Sequence, residues 1–306
     1  MFPPSSFLPR FAFSAALSLP VSALAAAPAF IADVAFRPCE GLVCIDASLD
    51  GAPLRTLMLD IGNAHSTLIA DVARELQWTL QPAERGGHAV GGIFVAGEHR
   101  VGLGGIAAPE PFYVFERAML GIYPPPVDGS LSYDFFKDRV LQIDYPHHRI
   151  RFTNPIATPP PAGKAEGTGS LRLITFGERG PPVVVGSPFT VNGKNVRAQI
   201  DTVFTGTLLI YDSALDTLGL SKEGAPELFK YTDGGIELLA GRSDSIGFGK
   251  RGLAGGAHTL YYVGAGKHPV HQPEGMFDAT VGNALFAHSV VTLDFHAMTL
   301  DVTTAD

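Results

Sequence analysis

The chain has 306 residues, 46% hydrophobic and 17% charged, with 35 Gly, 24 Pro and a net charge of −8. This composition excludes general disorder and allows either one large core or two moderate ones. An acidic chain without a basic run has no electrostatic footing on nucleic acid or an anionic membrane. At the N-terminus Arg10 precedes an apolar run, Phe11 to Ala25, that small residues extend to Ala27. The run is interrupted by Pro20 and falls short of a spanning helix. It therefore predicts an export signal over residues 1–27, leaving a periplasmic or secreted protein with no membrane span after cleavage. The two cysteines, Cys39 and Cys44, flank Glu40-Gly41 in a stretch that reads as a hairpin. In an oxidising compartment they are expected to pair; the alternative is two free thiols.

Beyond this point helix signals are scarce. Ile69 to Gln77 and Ser213 to Leu220 have apolar residues at helical spacing, the second ending at Gly219. Elsewhere short runs of Val, Ile, Leu, Phe and Tyr alternate with turn residues, which predicts an all-β protein. Residues 155–169, with Pro155, Pro159, Pro160 and Pro161, read as a linker between a lobe at 28–154 and a second at 170–306.

The two halves repeat one another. Leu57-Met-Leu-Asp60-Ile-Gly-Asn-Ala-His-Ser66 matches Ala198-Gln-Ile-Asp201-Thr-Val-Phe-Thr-Gly-Thr207. Each is an apolar strand that delivers an Asp, then a small turn, then a hydroxyl residue six places on. Each leads into one of the short helical stretches. Later Val127 to Tyr145 answers Phe277 to Phe295, ending at Asp144 and Asp294, both expected to form turns. Two matching pairs in the same order indicate an internal duplication.

With these motifs the sequence resembles the pepsin and retropepsin superfamily, and in particular exported bacterial retropepsin-like proteins with two lobes in one chain. The likeness runs from about residue 35 to 303. It implies duplicated β-barrel lobes with a cleft between them, and Asp60 and Asp201 as a catalytic pair. Gly62, Thr202, Ser66 and Thr207 would support the two loops. It also implies cleft hairpins within Gly86 to Gly105 and Gly234 to Gly255. The chain departs from the family pattern at Ile61, where a hydroxyl normally reaches across to the opposite loop. It departs again at Val203, which replaces a Gly, and at Phe204, which replaces a small residue. Ser130-Leu131-Ser132 stands where apolar-apolar-Gly is expected, while Thr280-Val281-Gly282 is nearer the pattern.

The chemistry implied is peptide hydrolysis by two carboxylates sharing one proton and activating a water. No metal or organic cofactor is called for. The partner would be a peptide or protein substrate held by a monomer, since one chain supplies both carboxylates. The alternative is an inactive relative of the same fold that binds a peptide or a cell-envelope partner, which Ile61, Val203 and Phe204 favour. Gly247-Phe-Gly-Lys-Arg-Gly252 spells a dinucleotide fingerprint, but its setting is a hairpin without a following helix. His65, His147, His148, His258, His268 and His271 lack ligand spacing and read as surface or loop residues. Trp78 reads as core or cleft wall.

Overall fold

The computed structural model describes residues 30–119, 127–155, 166–175, 182–220, 225–229, 236–262 and 276–304. The export signal expected at 1–27 and residues 156–165 of the expected linker lie outside them. The first half contributes strands β1 (Ala32–Ala35), β2 (Arg37–Cys39), β3 (Leu42–Leu49), β4 (Arg55–Asp60) and β5 (Ser66–Ile69), then helix α1 (Ala70–Glu75). It continues with β6 (Leu80–Arg85), β7 (His88–Leu103), β8 (Ile106–Phe115), β9 (Gly129–Ser132), α2 (Tyr133–Phe136), β10 (Val140–Asp144) and β11 (Arg149–Thr153). The second half runs through β12 (Thr168–Thr175), β13 (Pro182–Val191), β14 (Lys194–Ile200), β15 (Leu208–Tyr211) and α3 (Asp212–Leu218). It ends with β16 (Ala225–Phe229), β17 (Ile236–Phe248), β18 (Arg251–Tyr262), β19 (Ala279–Val281), β20 (Ser289–Asp294) and β21 (Thr299–Thr304).

The duplication is written in the strand pairing. In the first half β4 pairs parallel with β9, β9 antiparallel with β5, and β5 parallel with β8. In the second half β14 pairs parallel with β19, β19 antiparallel with β15, and β15 parallel with β18. The flanking ladders repeat too, β3–β4 with β3–β7 answering β13–β14 with β13–β17. Beneath both halves β1, β11, β10, β20, β21 and β12 lie in one sheet, where β10 meets β20 antiparallel and joins the lobes. This is the all-β, duplicated, two-lobed architecture that the sequence implies.

Burial explains the pattern. The inner strands β4, β5 and β9 carry almost continuous buried runs because they are covered on both faces. Strand β8 instead alternates, with Ile106, Glu110, Phe112 and Val114 buried. The helices stand close to where the spacing puts them: α1 is shorter than Ile69 to Gln77, and α3 ends at Gly219, which adopts φ 68°. Cys39 and Cys44 form a disulfide across a hairpin whose tip residues Glu40 and Gly41 have φ 52° and 85°. Residues 247–252 are the end of the β17–β18 hairpin, with Gly249 and Lys250 at its turn, as the hairpin reading requires. Among the described residues no helix is long and apolar enough to cross a membrane.

Candidate active site

Asp60 is the last residue of β4 and is paired in register with Ser132 of β9. Asp201 directly follows β14, and its backbone N–H donates to the carbonyl of Val281 in β19 at 3.0 Å. The parallel strand in each lobe thus pushes an aspartate out at its end. The turn after Asp60 is itself anchored, since Tyr133 and Asp134 donate their amides to the carbonyls of Asn63 and Ala64 at 3.1 and 2.9 Å. The amides of Gly62 and Asn63 and the Asn63 side chain lie close enough to the Asp60 carboxyl to favour its ionised form. That of Asp201 accepts from the amides of Val203 and Phe204 at 2.9 and 3.3 Å.

The two loops touch at Gly62. A Cβ placed there would lie 2.5 Å from Cγ and 2.6 Å from Oδ1 of Asp201, so only glycine lets the Asp60 turn approach the second carboxylate this closely. Asp60 is 7% exposed. Burial pushes its carboxyl well above the usual carboxylate range, and the nearby charge of Asp201 pushes in the same direction. Asp201 is also raised by burial, against the pull of its two amide donors. Such a pair titrates as a unit, and its second proton is held more firmly than its first.

Cross-lobe bracing is carried by residues around the dyad. Thr202 Oγ1 donates to the carbonyl of Leu59 at 2.6 Å and accepts from the amide of Ile61 at 3.0 Å. Ile61 has no hydroxyl to return and is fully buried in the apolar core. Gln199 Nε2 donates to the Gly62 carbonyl at 3.2 Å. Its own Oε1 receives Thr280, which contacts Tyr211. Asn283 donates to the carbonyls of Thr202 at 2.6 Å and of Gly41 at 3.0 Å, and Tyr145 fixes it from behind at 2.9 Å. The disulfide-closed hairpin tip therefore leans on the second aspartate loop.

The departures from the family pattern are absorbed unequally. Val203 sits outside the left-handed region and still donates its amide to Asp201, so a glycine is not needed there. Phe204 packs into a cluster with Val183, Val185, Tyr211, Leu238 and Phe277. Its ring covers Gly206 and Gly282, where any Cβ would collide with it. Ser66 supports the first loop indirectly, accepting the Ser132 amide at 3.0 Å and donating to Glu110 at 2.5 Å. Thr207 acts through its carbonyl, which accepts the Gly282 amide at 3.3 Å. His65 is partly exposed and meets Asp134 at 2.8 Å. Trp78 is core, as expected, with its indole N–H donating to Asp50. Asp144 and Asp294 cap turns through the amides of His147, His296 and Ala297. Sequence reading gave no role to Asn63, Gln199, Tyr211, Asn283 or Glu110. The available signal was a charged side chain at an inward position of an alternating strand, as at Glu110.

No family model matches the chain, and no curated protein matches it. Among solved structures, basic 7S globulin from soybean is similar at 10% identity over 90% of this chain and 94% of that one, with a TM-score of 0.48. At that similarity the likeness decides nothing about activity. The repeated strand pairing is what defines the architecture.

Proposed function

We propose that this protein is an aspartic-type endopeptidase, exported by its first 27 residues, that hydrolyses an extended peptide between its two lobes. One observation carries the reading: the buried Asp60 and the partly buried Asp201, delivered by equivalent loops of a duplicated fold, come together across Gly62, where a Cβ would collide with the Asp201 carboxyl. The ionised member of the pair takes a proton from water lodged between them, and the resulting hydroxide attacks the scissile carbonyl. The protonated member donates to the developing oxyanion, and the proton taken up by its partner passes to the leaving amine. Which aspartate holds the shared proton is a property of the pair, not of either residue. Phe204 supports the reading because its ring belongs to the apolar cluster of the second lobe. The disulfide fits an oxidising compartment. One chain provides both carboxylates, so the active unit is a monomer.

The rival is a binding protein of the same fold, and the one-sided brace at Ile61 favours it. Hydrolysis of a diverse peptide library between pH 3 and 8, with Asp60→Asn alongside, separates the two. Cleavage that is lost in the variant and blocked by a statine-type inhibitor establishes the peptidase. A folded wild-type protein that cuts nothing at any pH establishes the rival.

A further inference from the structure

Glu110 is a buried carboxyl with no part in the dyad chemistry. It occupies an inward position of β8 between two prolines, Pro109 and Pro111, and is 2% exposed. Its Oε1 receives the hydroxyl of Ser66 at 2.5 Å, and Ser66 in turn receives the amide of Ser132 at 3.0 Å. Ser132 is the register partner of Asp60, and the two residues after it hold the carbonyls of the Asp60 turn. Two successive hydrogen bonds thus run from the Ser132 amide to Glu110, and the backbone after Ser132 carries the amides that hold that turn. The same carboxyl borders a recess of about 320 Å³, into which Glu98 of β7 and Asp134, Lys137, Asp138 and Arg139 of α2 and its following turn also face. At the corresponding register position of the second lobe, on β18, stands Gly256.

We infer that Glu110 is a positioning residue for the first aspartate loop, setting through Ser66 and the Ser132 amide how firmly Asp60 is held, according to its own protonation. The recess gives protons a route to it from outside the dyad. An ionised Glu110 only accepts, so Ser66 must donate to it and turn its lone pair towards Ser132; such charge-assisted bonds are about twice as strong as neutral ones. A protonated Glu110 can donate to Ser66 instead, which frees that orientation. Burial raises the Glu110 carboxyl from 4.5 to about 7, opposed by the Ser66 bond; Asp134 adds to the rise, and Lys137 and Arg139 oppose it. The switch therefore falls near neutral pH.

The consequence for catalysis rests on the peptidase reading, but the link itself does not, so the decisive measurement is not activity. The Ser132 amide resonance is followed by NMR from pH 5 to 9 in the wild type, Glu110→Gln, Ser66→Ala and Asp60→Asn. Glutamine keeps an acceptor of the same shape and removes the proton. The expected result is a titration with a midpoint near 7 in the wild type and in Asp60→Asn, absent from both Glu110→Gln and Ser66→Ala. A flat wild-type resonance, or an unchanged titration in Glu110→Gln, overturns the link. If the protein cleaves peptide, the ratio of kcat/KM at pH 8 to that at pH 6 should change by at least about threefold in Glu110→Gln, the worth of one hydrogen bond. Cleavage with an unchanged ratio overturns the positioning role and leaves the peptidase standing. Titration without cleavage keeps the link and removes the peptidase.

Discussion

Replacing Thr202 by Val tests the cross-lobe brace at its centre. The side chain keeps its shape and is 2% exposed, so no cavity opens and no new surface appears. What disappears is one hydroxyl that satisfies both the Leu59 carbonyl and the Ile61 amide. A buried backbone group left without its partner costs about 1–3 kcal/mol, so the two together cost roughly 2–6 kcal/mol. The hydroxyl is the one that Ile61 cannot duplicate, so no symmetric partner offsets the loss. Urea unfolding at neutral pH should show a lower midpoint with an unchanged slope, as expected when only the native state is affected. Thr202→Ser retains the hydroxyl and should recover most of the difference. A Thr202→Val protein within about 0.5 kcal/mol of the wild type would mean that the β10–β20 ladder and the Gln199 and Asn283 contacts hold the lobes without this hydroxyl, and the reasoning would fail.

Asp60 and Asp201 are both raised in the folded protein, so their contribution to stability is present below the unfolded carboxylate value of 3.8 and is lost as pH rises. Asp60→Asn should accordingly melt higher than the wild type at pH 7, with the gap closing towards pH 3 in thermal scans. In Gly62→Ala the new methyl meets the Asp201 carboxyl at 2.5 Å, so the peptide-hydrolysis rate should fall at least about 100-fold while circular dichroism stays native. Ile61→Thr repairs the family motif on paper but puts a hydroxyl into a fully buried apolar cluster; calorimetry should show a loss of about 1–3 kcal/mol. Cys39→Ser with Cys44→Ser opens a loop of sequence separation 5, costing about 2 kcal/mol by loop-closure entropy, and should destabilise most near the second aspartate loop in hydrogen exchange.

The duplicated all-β fold was legible because a repeat of motifs imposes a repeat of strand partners, and the partner lists of β4, β5, β9 and β14, β15, β19 agree one for one. Asp60 and Asp201 were legible for the same reason. The bracing residues were not. Asn283 lay within a motif that was recognised, yet its task, bridging Thr202 to Gly41, spans 242 residues of sequence and leaves no local trace. Glu110 could have been flagged as a charge on the inward face of an alternating strand, but its tie to Ser66, which was expected only to support the Asp60 loop, does not show until β5 and β8 are paired. Helix ends were off by a few residues because short helices packed on strands are ended by their neighbours more than by their own caps.

What a degenerate motif means depends on which part of the residue does the work. At 203, where the pattern the chain resembles has glycine, it is the backbone amide that reaches the carboxylate, and valine supplies it in a conformation it tolerates. At 61, where the resembled pattern has a hydroxyl, isoleucine has none to supply. The structure makes up that loss from elsewhere: Gln199 takes the Gly62 carbonyl, Thr202 serves both sides of the missing contact, and Ser66 with Glu110 secures the strand on which the Asp60 turn rests. Those substitutes are unevenly placed, with an ionisable group behind the first aspartate and none at the matching position behind the second. A dyad built from equivalent loops thereby acquires an asymmetric environment, which is the condition for its two carboxyls to differ in how readily they give up a proton.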